Sequence, residues 1–96
     1  MNKDKFTEQI GKEVKVQALF SDKLETNYNF KFKILLRDIF VVGNYFRDHT
    51  FIKSSRRWKK FKQGDLLEFT ALLTEYKHKG EVKLGLRRIR NIEKVA

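Results

Sequence analysis

Residues Gly64 to Tyr76 read GDLLEFTALLTEY, and the alternation within them decides the fold class. Leu67, Phe69, Ala71 and Leu73 fall on one side at period two. Glu68, Thr70 and Thr74 fall on the other, interrupted by Leu66 and Leu72. Side chains alternate across a strand, whereas a helix repeats every 3.6 residues, so this is a half-buried strand. The Gly64-Asp65 pair supplies the turn that opens it. The other apolar runs then read as strands curling around this one.

Downstream, Lys77 to Glu81 (KHKGE) is a basic turn containing Gly80, which predicts a hairpin. Val82 to Arg88 is a fifth strand, with Val82, Leu84 and Leu86 inward and Lys83, Gly85 and Arg87 outward. Ile89, Ile92 and Val95 continue an apolar trace, but their spacing of three leaves the last segment ambiguous.

Upstream, Arg47 to Gln63 lacks period two. Ser54 and Ser55 are good helix caps, and Trp58 and Phe61 lie three apart. These predict a short helix from Ser55 to Lys62, closed by Gly64. Its charges, Arg56, Arg57, Lys59, Lys60 and Lys62, include no acid, and cations in a first turn oppose the helix dipole. Ile39 to Phe46 is a third strand with Gly43 as a bulge or bend, and Asp38 a tight connection before it. Tyr28 to Arg37 is the second strand. Phe30, Phe32, Ile34 and Leu36 point one way; Lys31, Lys33 and Arg37 point the other, with Leu35 among them. Ser21 to Asn27 reads as a polar loop, and Glu13 to Phe20 as a first strand burying Val14, Val16, Ala18 and Phe20. Residues 1 to 10 form a lead-in, helical or frayed, on which Phe6 and Ile10 share a face before Gly11 breaks the pattern.

Ninety-six residues, 41% hydrophobic with nine Phe, suffice for one domain with one modest core. A charged fraction of 35% predicts a soluble protein, and no apolar run approaches the ~20 residues of a membrane helix. The first residues lack an apolar signal core, so a cytoplasmic location is expected. With no Cys there are no disulfides or thiolate metal sites. The net charge is +10, and all of it arises after residue 26. A field of that strength on a small domain attracts polyanions, nucleic acid first among them. An anionic membrane surface or an acidic protein is the weaker alternative.

The order of elements resembles the OB-fold, a five-stranded, partly open Greek-key barrel. Phe61-Lys-Gln-Gly64-Asp65-Leu-Leu-Glu-Phe69-Thr-Ala71 resembles the junction into the fourth strand of such domains. Phe32-Lys-Ile-Leu-Leu-Arg-Asp38 is similar to their central strand. Asp48-His49-Thr-Phe51-Ile52 is similar to a segment of some small bacterial and phage single-stranded-DNA-binding proteins. The likeness spans residues 11 to 93; a small SH3-like barrel is the rival. It implies a mainly β protein, with a short helix between the third and fourth strands. It also implies a ligand face on strands two and three and the first and last hairpin loops.

OB domains hold single strands with cations along the phosphates and aromatic rings against the bases. The candidates here are Tyr28, Lys31, Lys33, Arg37, Tyr45, Arg47, Arg56, Arg57, Lys59, Lys60, Lys77, Lys79 and Arg87. Tyr28 and Tyr45 read equally well as barrel-end packing. Trp58 and Phe61 read as the face that plugs the barrel bottom, and the basic surface around them as a solvated face, a second phosphate contact or a dock for an acidic partner. Asp48-His49 has the makings of a general-base pair, but no nucleophile motif accompanies it. His49 and His78 have no second ligand at metal spacing, and no phosphate loop is present. No catalytic residue, cofactor or metal is expected.

The first expectation is therefore a non-enzymatic binder of single-stranded DNA or RNA, DNA ahead of RNA, serving replication, recombination or repair. The link to a phage or mobile element rests on the resemblance alone. The alternative is an accessory subunit of a DNA polymerase, primase or helicase, acting mainly through protein contacts at exposed Leu19, Leu35 and Leu72.

Overall fold

The computed structural model describes residues 3–25 and 32–95, and the side chains of 6–23 and 33–95. Its strands are β1 (Glu13–Glu25), β2 (Phe32–Val41), β3 (Asn44–Lys53), β4 (Leu66–His78) and β5 (Glu81–Lys94). They form one antiparallel sheet in the order β3-β2-β1-β4-β5. After the β1-β2-β3 meander the chain returns to lay β4 beside β1. No helix among the described residues is long and apolar enough to cross a membrane.

The alternation in β4 has the predicted consequence. Leu67, Phe69, Ala71 and Leu73 are all buried, and the residues between them are half-exposed. Full burial of one large aliphatic or aromatic side chain contributes about 1.5–3 kcal/mol, so this strand is a principal wall of the core. Val14, Val16 and Ala18 of β1, Ile34 and Leu36 of β2, and Leu84 of β5 close around it. Lys3–Gln9 is a 3-10 helix whose Phe6 reaches the same core and meets Phe46 edge-on, ring centres 5.3 Å apart.

Several boundaries differ from the sequence reading. Asp38 is not a connection: β2 runs through it, and its φ of 50° marks a bulge opposite β1. The turn lies at Val42-Gly43, and the third strand is Asn44–Lys53. β1 extends through the predicted polar loop to Glu25, with a second bulge between Phe20 and Asp22. That extension pairs only with β2, since the β1–β4 ladder ends at Leu19 and Leu66. One buried flank fewer explains its polar composition.

No α-helix joins β3 to β4. Arg56–Trp58 is a single 3-10 turn, and Ser55 makes no side-chain cap bond. Eight residues are too few to offset helix nucleation, and an all-cationic set adds dipole and like-charge costs. A 3-10 turn also superposes side chains three apart. Trp58 and Phe61 thereby point together into the core, Trp58 also meeting Phe69 edge-on at 6.2 Å.

The inward and outward assignments need two further corrections. Leu35 is buried and Leu19 and Leu72 half-buried, so they form no exposed patch. Val82, expected inward, is 39% exposed.

Both two-residue hairpin loops use the positive-φ pair that such loops require: Val42-Gly43 at 49° and 78°, Lys79-Gly80 at 51° and 80°. Glycine takes this conformation freely, but a β-branched residue does not. Val42 is half in solvent, and its amide bonds the Lys15 carbonyl at 2.9 Å, a bond any residue but proline retains. Val42→Asn should therefore stabilise by about 1 kcal/mol, the left-handed cost it relieves. In a thermal melt that is a gain of about 4–8 °C. A lowered midpoint would show that the valine side chain contributes more than its backbone costs.

Candidate nucleic-acid interface

The edge strands β3 and β5 face each other without a backbone ladder among the described residues. Side chains span the gap instead. Arg47 Nη2 donates to the Leu84 carbonyl, and the Arg47 guanidinium lies 4.9 Å from the centre of the Phe46 ring. Arg57 Nη1 donates to the Ile89 carbonyl. Unpaired edge carbonyls of β5 thus find donors, as part-buried backbone groups must. The two arginines act as tethers across an open seam.

Three clefts follow one another along this seam. The first lies between Tyr45, Arg47 and Asp48 of β3 and the β4–β5 hairpin, where Tyr76, Glu81, Val82 and Lys83 complete it. The second lies between Phe51, Ile52 and Lys53 on one side and Leu86, Arg87, Arg88 and Ile89 on the other, with Arg57 at its end. The third is bounded by Arg56, Arg57, Lys59, Lys60 and Ile92. Arg57 belongs to both the second and the third.

The rings in this seam are available to a ligand. Tyr45 is 51%, Phe51 52% and Tyr76 39% exposed. Tyr45 leans edge-on against Phe40 at 5.8 Å, and Phe51 against His49 at 5.9 Å. Tyr76 is held by an absence: a Cβ on Gly85 would stand 3.1 Å from its ring, closer than packed carbons sit. The missing side chain lets the tyrosine lie over the backbone of β5.

The bulges of β5 set its cations. The ladder slips a residue between the Leu72–Arg87 and Thr70–Arg90 pairs, and again before Glu68–Glu93. Arg88 and Asn91 occupy these slips with φ of 51° and 55°. Ile89 and Ile92 thereby both face the core, while Arg87 and Arg88 both remain outside.

Of the sequence candidates, Tyr45, Arg47, Arg56, Arg57, Lys59, Lys60 and Arg87 line the seam. Lys33 stands exposed on β2 directly opposite Lys53 of β3. Like charges facing each other across a ladder are destabilising, and a bound anion removes that cost. Arg37 is exposed but engaged: its Nε donates to Ser21 Oγ at 3.1 Å, and its Nη1 stands 4.0 Å from Asp48 Oδ2. Asp48 Oδ2 also meets His49 Nδ1 at 3.1 Å. Lys77 and Lys79 are exposed at the β4–β5 hairpin. Tyr28 and Lys31 lie outside the described residues.

Sequence reasoning missed Phe51, Lys53, Tyr76, Lys83 and Arg88. Tyr76 had a signal: it ends the alternating run of β4, beyond the last buried residue, where an aromatic has no core to enter. Phe51 and Lys53 were hidden by the apparent loss of period in the segment that is β3.

No protein-family model, curated protein or solved structure matches this chain. The sheet order and the seam therefore define a mainly β protein with a cation- and ring-lined cleft between its two edge strands.

Proposed function

We propose that this chain is an OB-fold module that binds single-stranded nucleic acid, DNA ahead of RNA, without catalysing a reaction. The strand order supports the fold: a fourth strand returned beside the first is Greek-key winding, and an unlinked β3–β5 pair suits a partly open barrel. The observation that carries the function is the seam, where exposed Tyr45 and Tyr76 share one cleft with Arg47 and Lys83, and exposed Phe51 shares the next with Lys53, Arg87 and Arg88. Phosphates meet the cations, and unstacked bases meet the ring faces. The protein works in the cytoplasm, in replication, recombination or repair.

Titration of labelled oligo-dT at two salt concentrations tests this. For four neutralised phosphates, the logarithm of the affinity should fall with that of salt at a slope of about −3. No binding by micromolar protein at low salt would refute the reading. The second reading, an accessory subunit of a polymerase, primase or helicase, draws support from Phe40 and Val42. They stand 37% and 51% exposed at the β2–β3 hairpin, beside Lys15 and Glu68. In that case the isolated chain ignores oligo-dT and co-purifies with the enzyme.

A further inference from the structure

The seam is not uniform along its length, and the difference has a ligand consequence. Its exposed rings belong to the first two clefts: Tyr45 and Tyr76 line one, Phe51 the other. The third cleft is bounded by four cations and Ile92, with no ring among its lining residues. The nearest aromatics in sequence, Trp58 and Phe61, are 2% and 8% exposed and turned into the core. They offer no face to a base. Among the described residues no carboxylate forms an ion pair with Arg56, Arg57, Lys59 or Lys60. Lys60 rests over its neighbour Phe61, its Nζ 5.3 Å from the ring centre. Arg57 is tied to the Ile89 carbonyl. Arg56 and Lys59 are both exposed.

A ring-free set of cations can hold phosphates but offers a base nothing to stack on. A duplex presents such a target: its bases are stacked inside, and it carries one charge per ~1.7 Å of axis, counted over both strands. The ring-lined end needs the opposite, unpaired bases free to stack. Both ends lie along β5, separated by the strand from Val82 to Ile92, up to ~30 Å at extended rise.

We infer that the seam binds a junction, with a single-stranded tail in the Tyr45–Tyr76 end and the adjoining duplex backbone on the Arg56–Lys60 end. This rests on the single-strand reading and adds the substrate geometry.

Three labelled probes test it: a short oligo-dT, a blunt hairpin duplex, and the same hairpin carrying that oligo-dT as a tail. The tailed hairpin should bind about tenfold or more above the plain single strand, with a salt slope steeper by about 2 for two added duplex phosphates. Arg56→Gln combined with Lys59→Gln should abolish that gain and the extra slope. Its loss of affinity for the plain single strand should be at least about fivefold smaller than its loss for the tailed hairpin, since neither residue borders the ring-lined clefts. A thermal melt of this variant at the native midpoint verifies its fold. Equal affinity for tailed and plain strands overturns the inference. A gain that survives the double variant overturns it too. Failure of the plain single strand to bind is a different result: it overturns the single-strand reading itself, and the junction with it.

Discussion

Tyr45→Ala combined with Tyr76→Ala should lower affinity for oligo-dT by about 30-fold or more, with the salt slope unchanged. Each base stacked on a ring contributes about 1–3 kcal/mol, so removal of both rings amounts to about 2–6 kcal/mol. Stacking releases no counterion, and the slope therefore stays with the cations. Arg87→Gln should behave in the complementary way, flattening the slope by about 0.7, the share of one neutralised phosphate on a single strand. Tyr45→Phe and Tyr76→Phe keep a ring and should bind nearly as the native chain does. Both tyrosines project from the cleft wall and neither belongs to the core cluster, so the double variant should remain folded. A native affinity in a folded double variant would exclude these rings from the site.

The parts of the fold legible in the sequence are those where one strand face meets the core and the other meets water. Strand β4 is the clear case, since its buried quartet follows from alternation alone. Bulges are what alternation does not reveal. Each adds one residue to one strand and reverses the side on which later residues fall. Asp38 does this in β2, and so a continuous strand looked like two. Of the two readings of Gly43, the bend holds and the bulge does not: it sits in the β2–β3 turn. In β5 the slips at Arg88 and Asn91 put Ile89 and Ile92 three apart yet on one side. A spacing of three here is the signature of a repeatedly bulged strand, not of a helix.

β3 was obscured for another reason. Past the buried Phe46, its inner face meets only the margin of the core, so Thr50 and Ile52 are half-buried. The apolar alternation that marks a strand weakens where burial does. The candidate site suffered in the same way, because its residues come from edge strands and bulges. The cation excess was visible in composition, but which cations share a cleft depends on the pairing of β3 with β2 and of β5 with β4. The positive-φ residue Arg88 shows the coupling plainly. Its bulge bends β5 and keeps two adjacent arginines outside the core.

Trp58→Ala should be the most destabilising single change at the turn between β3 and β4. The indole is 2% exposed and meets Phe61 and Phe69 edge-on at 6.3 and 6.2 Å. Removal of a buried tryptophan costs about 3–5 kcal/mol, from forfeited transfer energy and the cavity left behind. A chain of this size is held by about 5–15 kcal/mol, so a large share of its stability goes. The thermal midpoint should fall by about 15 °C or more. The effect is functional as well as structural. Trp58 is the one buried residue of the 3-10 turn that carries Arg56 and Arg57, and its neighbours Lys59 and Lys60 follow directly. With the anchor gone, those cations lose their fixed spacing, and ordering them again would fall on the ligand. Below its lowered melting point, the Trp58→Ala protein should therefore lose the advantage of the tailed hairpin, and bind plain oligo-dT only slightly less well, since of these cations Arg57 alone also borders the Phe51 cleft. Trp58→Phe, which retains a ring to meet Phe69, should recover part of both. A midpoint within about 5 °C of native for Trp58→Ala would mean that the turn is not held by its indole, and the anchoring argument would fail.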